Sequence, residues 1–224
     1  PPTAETAGAS ERILGSWLRT RRRDDFEIIT KVAGPGSMPW LRGGPERLDG
    51  AALAAALDGS LARLGVDCVD LLLLHWPDRC AEGEDVGWIA TRCFTSHHAL
   101  PLHPPLRSYV PMFGQVDFDP SSAYPGTPFE DVLEAAGNAV AAGKIKAVGA
   151  SNESAAGLML AAAAASPPAR PRLAAVSNAY SLLGRNFEQT AAEAAALTGV
   201  PLLAYGPHAA GLLTGKYADG GPPE

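Results

Sequence analysis

At 224 residues, 46% hydrophobic and with a formal net charge of −6, the chain is long enough for a substantial core in one large α/β domain or two small ones. Its basic residues gather only at Arg19, Arg21, Arg22 and Arg23, which follow a helix-like segment and read as a solvated helix end, arguing against a nucleic-acid partner. No apolar run reaches the ~18 residues of a membrane span, the opening PPTAETAGAS is no signal peptide, and Cys68, Cys80 and Cys93 lack CxxC spacing, so the expectation is a soluble, cytoplasmic chain with free thiols and no metal site.

In chain order, Ser10 is placed to cap a helix over Glu11 to Thr20, with Ile13, Leu14, Trp17 and Leu18 on one face. FEIITKV, Phe26 to Val32, reads as a strand stopped by Gly34, Pro35 and Gly36. Leu53, Leu57, Leu61 and Leu64 recur at helical spacing within Ala51 to Leu64, and Gly65 ends that helix. Val66 onward is a strand that runs through four leucines, Leu71 to Leu74, and stops at His75, Trp76 and Pro77. A continuous apolar run of that kind is buried on both faces, and Pro77 cannot donate to a ladder. A break of about fifty residues then reaches Gly126, far beyond the roughly six of an ordinary connection.

Order resumes with a helix over Pro128 to Ala142, Gly143 as its stop, and the strand KIKAVGASN, Lys144 to Asn152. A helix over Glu153 to Ala165 ends at Ser166, Pro167 and Pro168. A strand over Leu173 to Tyr180, a helix over Phe187 to Leu197 and a strand over Pro201 to Tyr205 complete the pattern. Strands alternating with helices give a parallel sheet. An open dinucleotide fold would carry a GxGxxG after its first strand, and none is present, so a (β/α)8 barrel is favoured. Eight such units need roughly 250 residues; five strands are visible, and the expectation is a single partial barrel over 1–224, incomplete at both ends.

Each strand ends in polar or aromatic residues: Lys31, His75, Ser151 with Asn152, Asn178 with Tyr180, and Tyr205. The C-terminal rim is where barrels build sites. Taken singly, each residue has an ordinary structural explanation. His75 fits a hydrogen-bonded structural imidazole, Lys31 a snorkelling cation, Ser151 and Asn152 a helix cap, and Tyr205 core packing.

Together they resemble the aldo-keto reductases, through ITKV at Ile29 to Val32, DLLLLHWPDR at Asp70 to Arg79, GKIKAVGASNES at Gly143 to Ser154, NAYSLLGR at Asn178 to Arg185 and LLAYGPHAAGLLTGKY at Leu202 to Tyr217. The resemblance runs closest to the plant and bacterial branch in which HWPDR is followed by YVPMFG, here Tyr109 to Gly114. It implies reduction of aldehydes or ketones by a nicotinamide coenzyme, usually NADPH, lying across the barrel mouth, with a small-molecule carbonyl as substrate. In that family a tyrosine supplies the proton, and a phenol with pKa near 10 needs a neighbouring lysine ammonium, paired with an aspartate, to do so at neutral pH. By resemblance Lys31 is that lysine and His75 orients the carbonyl. Ser151 and Asn152 bond the nicotinamide carboxamide, Tyr205 stacks on its ring, Gly206 to Ala210 lie along the pyrophosphate, Lys216 is a charge near the phosphates, and Trp76 is part of the substrate wall.

The departures from the family pattern are as informative. The aspartate and tyrosine come from a DTAxxY segment ahead of the helix carrying SExxLGxxL, here Ser10 to Leu18; Glu5-Thr6-Ala7 mimics DTA, but no tyrosine follows until Tyr109. The usual glutamine of the sixth strand is Ser177, which removes an amide contact to the carboxamide. Gly206 and His208 replace a serine and a leucine in the usual SPL turn. Cys80 to Ser108 interrupts the family pattern with a stretch that reads as retained intron sequence without designed structure; the rival reading is a lid or zinc loop built on Cys93, His97, His98 and His103. The implied activity is therefore impaired in this chain. The alternative is a non-catalytic, coenzyme-binding relative with a regulatory or subunit-like role.

Overall fold

The computed structural model describes residues 7–34, 48–78 and 126–218. The stretch 80–108, the YVPMFG segment and Glu5 lie outside the described residues. Five parallel strands form one sheet in the order in which they occur: β1 (Ile29–Val32), β2 (Val69–Leu74), β3 (Ile145–Ser151), β4 (Val176–Ala179) and β5 (Leu202–Tyr205). Lys31 pairs with Leu73 and Leu73 with Gly149, while Ser151 pairs with Ser177 and Ser177 with Leu203. The parallel expectation holds, and every strand delivers its C-terminal end to the same rim.

The helices are α1 (Ala9–Leu18), α2 (Gly50–Leu64), α3 (Phe129–Ala141), α4 (Ala155–Ala164), α5 (Asn186–Thr190) and α6 (Ala192–Thr198). Asp49 caps α2 by accepting from the Ala52 N–H at 2.8 Å, and Gly65 ends it at φ 68, a left-handed turn that costs glycine nothing. Leu53, Leu57, Leu61 and Leu64 are all buried, as their spacing predicts. They meet Leu72, Leu74, Val148, Val176, Leu133 and Leu158 in one apolar layer between sheet and helices. Residues alternate across a strand, so Ile29, Lys31, Leu71, Leu73, Ser151, Ser177, Leu203 and Tyr205 share the other face. There Ile29 and Leu203 keep 46% and 37% of their surface exposed. β2 is buried on both faces at Leu72 and Leu73.

Several boundaries differ from the sequence expectation. Ser10 lies inside α1, and the residue that precedes the helix is Gly8 in the left-handed region, with no side-chain cap. The helix expected over Phe187 to Leu197 is two helices broken at Ala191, where φ is −142°. The Thr190 hydroxyl bonds back to the Asn186 carbonyl at 2.9 Å, a contact that bends helices. The first and fourth strands are shorter than their apolar runs, because pairing starts only at Ile29 and Val176.

At the end of the sheet away from the rim, the Asp70 carboxylate gathers three partners: the Arg23 guanidinium at 2.6 Å, the Lys146 ammonium at 2.6 Å and the Ile28 N–H at 2.7 Å. Burial raises its pKa, but the Lys146, Ile28 and Arg23 bonds outweigh that and hold the carboxyl well below its ordinary value. A depressed folded-state pKa means that the unfolded chain binds the proton more tightly. The stabilisation is then complete above the unfolded value near ~4 and is lost as pH falls below it. Asp70→Asn is expected to cost about 3 kcal/mol at pH 7, because it leaves the half-buried Arg23 short of a counter-charge. Urea denaturation of both proteins checks this, and the gap between them should narrow as the pH is lowered through the carboxylate range.

Candidate active site at the C-terminal rim

His75 is the first residue past β2. Its N–H donates to the Val32 carbonyl at 2.9 Å, which extends the β1–β2 ladder beyond the strand and holds the imidazole beside the end of β1. Lys31 is on the same face of β1, so the two basic side chains expected at one rim are brought together. The electrostatics register this. Burial first, and the Lys31 charge second, push the His75 pKa down to about 4. Lys31 is exposed by surface area, yet enough protein surrounds its ammonium for burial to lower its pKa too. Among the described residues Lys31 has no ion pair and no aspartate beside it.

Trp76 follows with its ring centroid 4.3 Å from that of His75, tilted by 43°. Only 2% of it is exposed. The indole also borders a cavity lined by Leu48, Leu74, Asp78, Phe129 and Leu160, on the helix side of the sheet. That cavity is not where Lys31 and His75 meet. Asp78 closes it, accepting from the Leu48 N–H at 2.9 Å and from the Thr127 hydroxyl.

The end of β3 supplies a buried polar cluster. The Ser151 hydroxyl donates to the Ser177 carbonyl at 2.9 Å. Asn152 is 3% exposed and sits at φ 57, the left-handed region that asparagine tolerates better than most residues. Its Nδ2 donates to the His75 carbonyl at 2.9 Å and lies 3.3 Å from Ser151 Oγ, while its Oδ1 accepts from the Tyr205 hydroxyl at 2.6 Å. Neither residue caps the next helix. Ser154 does so, accepting from the Gly157 N–H at 3.1 Å. Asn178 braces the turn between them, with Nδ2 on the Glu153 carbonyl at 2.9 Å and Oδ1 on the Glu153 N–H at 3.1 Å.

A carboxamide offers one acceptor and two donor hydrogens. The Ser151 hydroxyl hydrogen and both Asn152 amide hydrogens are directed at protein atoms, so these two residues can further only accept. The Ser177 hydroxyl makes no hydrogen bond among the described residues and remains able to donate. The residues at this rim therefore offer acceptors at Ser151 and Asn152 and a donor at Ser177, a set that fits a nicotinamide carboxamide.

Beyond β5 the chain turns through Gly206 at φ 68, and then through Ala209, Ala210 and Gly211, all at positive φ. His208 precedes a short 3-10 segment, Ala209–Thr214. The Lys216 ammonium lies 4.8 Å from the Tyr217 ring centre, with its side chain against Gly211. Gly206, His208, Ala210 and Lys216 thus share one exposed loop after β5, next to Tyr205. Burial raises the Tyr205 pKa against a smaller opposing contribution from Ala179, so its phenol is a weaker acid than usual.

Sequence reasoning placed these residues at the rim but not the bonds among them. Asn178 was legible only as a strand end, and the left-handed turn at Asn152 leaves no signal that separates it from a helix cap. Among the described residues no cluster of three or more His, Cys, Asp or Glu could hold a metal ion, and no helix is long and apolar enough to cross a membrane.

The comparisons agree with this architecture. Protein tas of Escherichia coli strain K12 is 34% identical over 225 residues, covering 100% of this chain and 57% of that protein. An aldo-keto reductase of Babesia bovis is 35% identical over 207 residues, 86% of this chain and 61% of its own. The chain spans a little over half the length of these curated relatives. Among solved structures, the thermostable aldo-keto reductase Tm1743 in complex with the inhibitor epalrestat superposes with a TM-score of 0.60 at 23% identity, over 95% of this chain and 56% of that one. An aldo-keto reductase from Klebsiella pneumoniae in complex with NADPH gives 0.58 at 23% identity, over 95% and 52%. These likenesses show the fold, that of the (β/α)8 barrels. The model of the aldo/keto reductase family matches residues 3–224, and the chain belongs to that family.

Proposed function

We propose that this chain forms the coenzyme-binding rim of an NADPH-dependent reductase of aldehydes or ketones, and that its own turnover is impaired. The observation that carries the reading is the juxtaposition of an uncharged, half-buried His75 with the Lys31 ammonium, beside the buried Ser151–Asn152–Ser177 cluster. Bound NADPH would supply a hydride to the carbonyl carbon. The neutral imidazole of His75 donates a hydrogen bond to the substrate oxygen, and Lys31 places a positive charge where negative charge develops. Trp76 packs against the imidazole, its ring centroid 4.3 Å away. Ser151 and Asn152 accept from the carboxamide nitrogen, Ser177 donates to its oxygen, and Tyr205 offers a flat apolar face to the ring. Gly206, His208, Ala210 and Lys216 lie along the phosphates.

The impairment rests on the proton. Lys31 lacks a carboxylate partner among the described residues, and Tyr205 has a raised pKa and stands on β5, four strands along the sheet from β1. The same observation favours a second reading, a coenzyme-binding relative that does not turn over. The Klebsiella pneumoniae structure with NADPH supports the choice of coenzyme.

The two readings part in one assay. The full chain should quench or shift NADPH fluorescence on binding and oxidise it slowly with a generic aldehyde, followed by absorbance. His75→Ala should lower kcat by about 10²- to 10³-fold, and Lys31→Met should lower it as well, each with the circular dichroism of the parent. Binding without oxidation selects the non-catalytic relative; undiminished turnover in both variants removes both assignments.

The titration of His75 provides an independent check. NMR of the imidazole should show a midpoint near 4. Lys31→Met should raise it only part of the way to the ordinary 6.5, because burial is the larger cause. Between pH 6.5 and 4 the unfolded chain binds this proton and the folded chain does not. The His75 contribution to stability therefore declines as pH falls through that window.

A further inference from the structure

The cavity on the helix side of the sheet has a volume of about 210 Å³ and shares only Trp76 with the proposed coenzyme rim. Its apolar wall includes Leu74 of β2 and Leu160 of α4, and the rings of Trp76 and Phe129 border it. Asp78, Glu130 and Glu153 also line it, and among the described residues no lysine, arginine or histidine does. Asp78 is 5% exposed. Its Oδ2 accepts from the Leu48 N–H at 2.9 Å and from the Thr127 hydroxyl, whereas its Oδ1 is buried with no hydrogen-bond partner among the described residues. Glu153 is buried to a similar degree, but its carboxylate already accepts from the Ser154 N–H at 2.8 Å. A buried carboxylate oxygen without a donor destabilises the fold until one reaches it.

We infer that this cavity is a second binding site and that it takes a small primary alkylammonium, which donates an N–H to Asp78 Oδ1 and lays its chain against Leu74, Leu160 and Phe129. The orphaned oxygen calls for an N–H or O–H donor. Three carboxylates in the lining, with no basic group among the described residues, favour a positive charge over a neutral donor and repel phosphates. Aromatic borders are compatible with a cation. A metal ion matches less well, because no group of three or more His, Cys, Asp or Glu among the described residues could hold one. The volume sets the size: it falls below the roughly 300–1,000 Å³ of pockets for drug-sized ligands, so a short amine fits and a coenzyme does not. The inference uses neither Lys31 nor His75 and stands apart from the proposed reductase chemistry.

The probe is n-butylammonium, titrated at pH 7 into the full chain without coenzyme and followed by calorimetry and by the backbone amide resonances of Leu48, Asp78 and Thr127. Saturable binding with a Kd of about 1 mM that shifts those three amides is expected. 1-Butanol keeps a donor without the charge, and butyltrimethylammonium keeps the charge without an N–H; each should bind about tenfold more weakly or worse. Asp78→Asn still accepts from Leu48 and Thr127 and, with the circular dichroism of the parent, should lose about tenfold or more in affinity. Ala163→Leu, at an exposed position in the cavity lining, narrows the space without touching Asp78; it should weaken binding similarly and decides the matter if Asp78→Asn does not fold. No saturable shift in the parent, the result if water alone serves Oδ1, overturns the site. Equal affinity for 1-butanol overturns the cation, equal affinity for the trimethyl analogue overturns the bond to Oδ1, and parent-like affinity in either folded variant overturns the placement.

Discussion

The rim depends on a single backbone hydrogen bond, from the His75 N–H to the Val32 carbonyl. It carries parallel pairing one residue past the end of β2 and so settles where the imidazole must stand. Had the ladder stopped at Leu74, the ring would be free to turn towards solvent and regain its ordinary pKa. Holding it against β1 places it partly out of water and beside the Lys31 charge, and both effects favour the neutral form. A neutral imidazole keeps one nitrogen as a donor and the other as an acceptor. In the proposed function that donor would orient a carbonyl oxygen.

The two ends of the sheet handle charge in opposite ways. At the far end Asp70 is surrounded by Arg23, Lys146 and a backbone N–H, and its partners bind the starts of three adjacent strands together. A second such knot joins Glu11 of α1 to Thr30 at 2.6 Å and to Arg63 at 2.5 Å; burial raises the Glu11 pKa, and these bonds more than reverse it. At the rim, in contrast, a lysine lacks a counter-charge among the described residues, a histidine is partly desolvated, and a serine hydroxyl is uncommitted. Stability is concentrated where nothing needs to react, and unmet electrostatic demand where a ligand can meet it.

Much of this was legible in the residues. The four leucines before His75, the periodic leucines of α2 and the glycine at its end gave type and order of element, because burial and periodicity are local quantities. The convergence of Lys31 and His75 followed from parallel strands alone. What stayed hidden depends on partners distant in sequence. Asp70 looks like an ordinary polar position in an alternating strand, and only the fold supplies Arg23 and Lys146. Thr190 is a routine helix residue until its hydroxyl turns back on Asn186. Asn152 carries the signature of a helix cap, yet that task falls to Ser154, which frees the asparagine to bridge the rim.

The chemistry that remains open turns on the acid. A phenol becomes a proton donor at neutral pH when a cation close by stabilises its anion. Tyr205 has the opposite surroundings: its pKa is raised by burial, its hydroxyl hydrogen is engaged by Asn152, and Lys31 stands at the other edge of the sheet. Moving the proton from Tyr205 would break its bond to Asn152. In the proposed function the rim groups would bind and polarise a carbonyl, and Tyr205 would not serve as its acid. Positioning and polarisation require only the geometry that the parallel sheet already provides.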